Sequence, residues 1–183
     1  QSLEKKVVEL ENDKLILDPT FANDGSTLTY ISTNKDLEEK LESAVHQHDL
    51  ETKESKELFS APSAITEIEF SPKGDSLFYL QADVFQNYSP IASKRPHDFD
   101  VHEYNIAENE HIQHTDFKKY SMRSLTIAED GQSVFVQMPD DEEVETAEDS
   151  FDLNLRIFQI PLDQPSNLKV VSDPNRKVDI YDF

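Results

Sequence analysis

Apolar and polar residues recur in one order at three places along the chain, and a glycine marks each place. The stretches are Pro19-Thr-Phe-Ala-Asn-Asp-Gly-Ser-Thr-Leu-Thr-Tyr-Ile31, Ile68-Glu-Phe-Ser-Pro-Lys-Gly-Asp-Ser-Leu-Phe-Tyr-Leu80 and Leu125-Thr-Ile-Ala-Glu-Asp-Gly-Gln-Ser-Val-Phe-Val-Gln137. An apolar residue (Phe21, Phe70, Ile127) stands four positions before the glycine, and a polar pair follows it. Alternation at Ile68/Phe70 and Leu125/Ile127 predicts a strand with one buried face. After the turn, Leu77-Phe-Tyr-Leu80 and Val134-Phe-Val136 are apolar without a break. Such runs predict strands covered on both faces. Gly25, Gly74 and Gly131 are the only glycines, and each supplies the positive φ that a tight hairpin turn requires.

A more polar hairpin follows each of these. Val45-His-Gln-His-Asp-Leu-Glu-Thr-Lys53 leads to Glu57-Leu-Phe59, Val101-His-Glu-Tyr-Asn-Ile-Ala-Glu-Asn109 leads to His111-Ile-Gln113, and Leu155-Arg-Ile-Phe-Gln-Ile-Pro-Leu-Asp-Gln164 leads to Leu168-Lys-Val-Val171. Aligning Leu50, Ile106 and Leu162 gives two intervals of 56 residues. Repetition on this scale is the signature of a repeat architecture. Four antiparallel strands per unit, with doubly covered inner strands, predict β-propeller blades. The expected fold is therefore all-β, with about three four-stranded antiparallel blades and a partial one in a single propeller-like domain spanning 1–183. In that scheme residues 1–17 are the outer hairpin of a partial blade. Blades occupy 18–60, 64–117 and 121–172, and 173–183 are a tail or the start of the next blade. Closed propellers have at least four blades, so the expectation is a fragment, an open array, or a ring completed by another chain or by missing sequence.

The phrase Phe70-Ser-Pro-Lys-Gly-Asp-Ser-Leu-Phe-Tyr-Leu80 resembles the F-S-P-D-G-x-x-[IL]-x-[YF] signature of the WD40-like repeats in TolB-type propellers. Copies 1 and 3 resemble it more loosely, with Asn23-Asp24-Gly25 and Glu129-Asp130-Gly131 at the Pro-Asp-Gly place, and the likeness runs over roughly residues 17–171. The chain has no Trp, a departure from true WD40 repeats. The resemblance implies a propeller that binds other molecules. Propellers attached to prolyl-oligopeptidase-like hydrolases share the motif, so the alternative is the propeller portion of such a hydrolase with its catalytic domain absent.

Charge narrows the partners. With 38 acidic and 17 basic side chains the net charge is −21, which excludes phosphate-driven nucleic-acid binding and adsorption to anionic membranes. No apolar run is long enough to insert into a membrane. A protein or peptide remains as the expected partner. The absence of cysteine removes disulfides and thiolate chemistry and fits an extracytoplasmic, cell-envelope protein of a bacterium. Gln1 is not an initiator Met, so a processed or trimmed chain is expected, with a signal or anchor removed.

Catalytic signatures are missing. With glycine only at 25, 74 and 131, neither a Gly-x-Ser-x-Gly elbow nor a phosphate-cradling loop can be written. No catalytic residue or cofactor is expected. The long connections between second and third strands cover 32–42, 83–100 and 139–152, and blade topology puts all three on one face. The first has helical spacing at Leu37 and Leu41. The second combines Phe85, Tyr88, Lys94 and Arg95 and is the candidate partner-binding loop. The third holds eight carboxylates in residues 140–152 but lacks the Asp-x-Asp-x-Asp-Gly spacing of a Ca²⁺ loop. His46 and His48, two apart on a strand, are candidate metal ligands awaiting a third, as are His111 and His114 further on. A Ca²⁺- or metal-dependent adhesive domain is thus the second alternative.

Overall fold

The computed structural model describes residues 10, 14–34, 42–87, 94–140 and 154–173, with only the backbone described for 84–87 and 94–95. The strands are β1 (Leu15–Phe21), β2 (Thr27–Thr33), β3 (Ser43–Asp49), β4 (Ser55–Ala61), β5 (Ala64–Phe70), β6 (Ser76–Asn87), β7 (Lys94–Asn105), β8 (Glu110–Gln113), β9 (Arg123–Ile127), β10 (Ser133–Pro139), β11 (Leu155–Pro161) and β12 (Lys169–Val170). They form three antiparallel four-stranded sheets in the orders β1-β2-β3-β4, β5-β6-β7-β8 and β9-β10-β11-β12. Each sheet is a meander, and each is one blade.

The repeat glycines make the turn between the first two strands of every blade. Their φ angles are 68°, 75° and 70° for Gly25, Gly74 and Gly131, a region that costs other L-residues roughly 1–2 kcal/mol. Each donates its N–H to the carbonyl three residues earlier (Ala22, Ser71, Ala128) at 2.8 Å. The turns also touch one another. Asn23 of blade 1 donates its amide to the Ser71 and Pro72 carbonyls of blade 2 at 3.2 and 2.9 Å.

The continuous apolar runs lie where coverage on both faces is needed. Leu77, Phe78, Tyr79 and Leu80 of β6 are all buried because blade 2 is packed on both sides. Leu77, Tyr79 and Tyr104 join Ile31, Val45 and Phe59 of blade 1 in one core. Phe78, Leu80, Phe99 and Val101 join Met122, Leu125, Val134, Val136 and Phe158 of blade 3 in the other. Adjacent residues of one strand thus serve opposite cores, as the pleat requires.

Two expectations are corrected. Residues 15–17, placed in an outer hairpin, belong to β1 and pair with Ile31–Thr33 of β2. A bulge at Asp18-Pro19 lets the strand continue through a dipeptide that reads as a break, and Asp18 takes a positive φ of 46° there. The second connection, read as a loop over 83–100, is a β-ribbon over its described residues, 83–87 and 94–100. β6 and β7 stay paired from Ala82↔Phe99 outward to Asn87↔Lys94. Pro96 is tolerated because each strand of a two-stranded ribbon has one edge without a ladder partner. The helix read at Leu37 and Leu41, most of 1–14, and the acidic segment from 141 lie outside the described residues.

Candidate functional site

Antiparallel order puts the start of the first strand, the second-to-third connection and the end of the fourth strand on one face of each blade. The glycine turns lie on the opposite face. On the connection face the longest described feature is the β6–β7 ribbon. Its rungs are Val84↔His97, Phe85↔Pro96, Gln86↔Arg95 and Asn87↔Lys94. The backbone therefore brings Phe85, Arg95 and Lys94 of the predicted site onto three successive rungs. Tyr88, the fourth, lies outside the described residues.

The base of the ribbon is held firmly. Ala82 and Phe99 are buried, and Phe99 exchanges backbone hydrogen bonds with Lys119 at 2.7 and 3.1 Å. The buried His97 ring lies parallel to Tyr120, with centroids 6.5 Å apart, and its Nδ1 contacts Asp98 Oδ1 at 3.0 Å. Asp100, fully buried, pins the β8–β9 connection beside the ribbon. Its Oδ1 accepts from the Thr115 hydroxyl and the Phe117 N–H, both at 2.6 Å. Burial pushes the Asp100 carboxyl above its ordinary value, and these hydrogen bonds oppose the rise. Sequence reading missed Asp100 and its role as the ribbon's anchor.

The candidate metal ligands do not converge. His46 Nε2 shares a hydrogen bond with the Ser32 hydroxyl at 2.8 Å, and its ring stacks on Tyr30 at 5.1 Å. His48 is buried with Nδ1 2.9 Å from the Ser55 hydroxyl. His111 Nδ1 meets the Tyr79 hydroxyl at 2.9 Å, and His114 Nε2 meets Glu103 at 2.8 Å. Among the described residues no group of three or more His, Asp or Glu side chains could hold a metal ion. These imidazoles are packing elements.

The histidines mark a repeated stack instead. Tyr30 and His46 are cross-strand partners in blade 1, and Tyr79 and His102 are partners at the same repeat place in blade 2. The second pair stacks at 5.2 Å. Phe59, from the outer strand of blade 1, completes the cluster with ring centroids 5.1 Å from Tyr79, 4.7 Å from Tyr104 and 4.8 Å from His111. Burial holds the His102 imidazole below its usual pKa, with Asp83 opposing and His111 and His114 reinforcing. It raises the Tyr79 hydroxyl well above the ordinary range. In blade 3 the corresponding partners are Val136 and Phe158.

A second feature escaped sequence reading although its signal was present. Asp18 and Glu67 both stand seven residues before a repeat glycine. Asp18 Oδ2 accepts the Ile68 N–H of the next blade at 2.5 Å. Glu67 accepts the Ser124 and Leu125 N–H groups of the blade after that, at 2.9 and 2.7 Å. The bulge in β9 leaves the Ser124 and Leu125 amides out of the ladder, and Ile68 stands two residues beyond the corresponding bulge in β5. Burial raises both carboxyl pKa values and the amide bonds oppose it; at Glu67 the Asp18 charge adds to the rise and Arg123 counters it. The result is a carboxylate clamp from each blade to its successor.

On the glycine-turn face, a shallow polar hollow of about 310 Å³ is lined by Thr27, Gln47, Asp49, Thr52, Glu54, Ser55 and Lys56. Asp49 is engaged there by the Glu51 and Thr52 N–H groups. No helix among the described residues is long and apolar enough to cross a membrane.

No family model matches the chain, and no curated protein is similar to it in sequence. Solved structures are similar in shape. TolB from Acinetobacter baumannii superposes with a TM-score of 0.61 at 14% identity, over 90% of this chain and 34% of its own. A chain of a nidogen–laminin complex gives 0.61 at 10% identity, over 90% and 51%. The acylaminoacyl peptidase of Pyrococcus horikoshii gives 0.58 at 14%, over 85% and 25%. The chain thus spans a quarter to a half of the length of these three. Sheets, blade order and likeness agree on the fold: the described residues form three blades of a β-propeller fold, similar in shape to TolB.

Proposed function

We propose that the chain is a non-catalytic binding module of a bacterial cell-envelope protein, taking a protein or peptide partner on the face that carries the long connections. The observation that supports this reading is the β6–β7 ribbon, which stands on a base locked by Phe99, Lys119, Tyr120 and Asp100. A rigid platform with a projecting element is how scaffolds present recognition residues. The ribbon carries an aromatic residue, Phe85, and two basic ones, Arg95 and Lys94, on successive rungs of a chain of net charge −21, a composition suited to an apolar–acidic peptide segment. The lack of cysteine and the TolB likeness fit the envelope.

The test is site-specific photo-cross-linking in cells of the source organism. A photoreactive residue at position 85 should give a discrete adduct, whereas one at Thr52 on the opposite face should not. Equal labelling at both sites, or none at 85, would reject the loop face. The peptidase likeness supports a second reading, a propeller that accompanies a hydrolase domain. A Gly-x-Ser-x-Gly elbow in the same reading frame would establish it.

A further inference from the structure

The outer half of the junction between blades 1 and 2 is built around two imidazoles set on one tyrosine. His102 of β7 stacks on Tyr79 of β6, with ring centroids 5.2 Å apart and planes 20° from parallel. His111 of β8 meets the Tyr79 hydroxyl through Nδ1 at 2.9 Å. Phe59 of blade 1 closes over this group, edge-on to His111 at 4.8 Å and tilted against Tyr79 at 5.1 Å. Beside it the Tyr104 hydroxyl reaches the Leu58 carbonyl of blade 1 at 3.4 Å. Blade 1 therefore rests on rings whose charge depends on pH.

The arrangement suits neutral rings only. His102 is 8% exposed, and its Nε2 has no hydrogen-bond partner among the described residues. A neutral imidazole can keep a bare lone pair at that atom, whereas an imidazolium must place an N–H there. A buried donor without an acceptor is costly, and the attraction of a cation to the Tyr79 face offsets only part of it. Tyr79 can donate to His111 Nδ1 only while that ring is neutral, and burial keeps the phenol itself protonated. Among the charged groups around His102, Asp83 on β6 favours the cation, while His111 and His114 on β8 oppose it. On its own strand Asp100 is taken by Thr115 and Phe117, and Glu103 by His114. On β4, Glu57 acts on His46 instead. Burial holds both His102 and His111 below their usual pKa, in line with this geometry.

The other side of blade 2 is built differently. There His114 stacks on Phe78 at 5.6 Å, and the Glu103 carboxylate 2.8 Å from its Nε2 can accept from a charged ring. We propose that mild acid opens the junction between blades 1 and 2 through His102 and His111 and leaves the junction between blades 2 and 3 closed. The closed junction binds fewer protons than the open one. Opening therefore gains up to about tenfold per pH unit for each ring below the usual imidazole value of about 6.5. This device is independent of what binds the connection face.

Native-state amide exchange on the full chain at pH 7 and pH 5, corrected for the intrinsic exchange rate, tests it. The Ile65 N–H crosses the first junction to the Ser43 hydroxyl at 3.1 Å, a bond with no titrating member. Its protection should fall about tenfold or more between the two pH values. Val134, in the core shared by blades 2 and 3, should change by less than about threefold. His102→Phe combined with His111→Phe keeps both rings and should abolish the fall at Ile65. Carbon-13 NMR titration of the His102 imidazole in the native chain needs no variant and should give a midpoint below the usual imidazole value. Unchanged protection at Ile65, equal losses at Ile65 and Val134, a fall that survives in the double variant, or a His102 midpoint at or above the usual value would each overturn the proposal.

Discussion

Glu67→Ala is the sharpest probe of how the blades are held in line. The substitution strips the acceptors from two N–H groups, those of Ser124 and Leu125, at 2.9 and 2.7 Å. Leu125 is buried, so water reaches its amide only if the junction opens. Hydrogen bonds to a charged group contribute about 1.5–3 kcal/mol each, and an orphaned buried donor costs about 1–3 kcal/mol. Against this, the mutation relieves a carboxylate whose raised pKa records its desolvation. The balance is a net loss of about 2–3 kcal/mol. With a urea m-value of about 2 kcal/mol/M, the midpoint should fall by about 1–1.5 M. Glu67→Gln retains a carbonyl acceptor and should lose about half as much. Because blades contact only their neighbours, the loss should fall on one junction. Amide exchange at Leu125 should accelerate while the Ile68 amide, clamped by Asp18, stays protected. A midpoint shift below about 0.2 M with Leu125 still protected would refute the clamp.

Three other outcomes follow from the same geometry. Gly74→Ala, at φ 75°, should cost roughly 1–2 kcal/mol by thermal denaturation, and Gly74→Asn should cost less; equal melting temperatures for both would contradict the turn assignment. Phe59→Ala removes a ring packed against three others and should cost about 3–5 kcal/mol, with blade 1 losing exchange protection before blade 3; a uniform loss would count against two separate cores. For His102 the pKa is lowered in the folded chain, so the unfolded chain binds more protons and stability falls as pH drops below the unfolded value near 6.5. His102→Phe should therefore flatten the stability profile between about pH 7 and 5, and an unchanged slope would remove the imidazole as its source.

The repeat was legible because its physics is local. A turn at positive φ needs glycine, and a doubly covered strand needs an unbroken apolar run such as Leu77–Leu80; both are visible without a partner strand. The ribbon was not legible. Residues 83–96 contain Asp, Asn and two prolines, which read as loop, and only the cross-strand register extends the ladder over 84–87 and 94–97. β1 was cut short for a related reason, since Asp18-Pro19 reads as a break until a bulge absorbs it. His46 and His48 read as ligands because two imidazoles on one strand look convergent, whereas each is satisfied by a neighbouring hydroxyl. The clamp lay between these extremes. Asp18 and Glu67 share one offset from their glycines, but their value depends on amides that the next blade presents to them.

That clamp also says how such an array can grow. Blade 2 carries both an acceptor for its successor, Glu67, and a donor for its predecessor, the Ile68 N–H, so its bonding chemistry points one way along the chain. A tandem duplication that copies one unit brings both halves with it, and the new junction is satisfied on arrival. Lengthening the array then demands no matched pair of substitutions on facing surfaces.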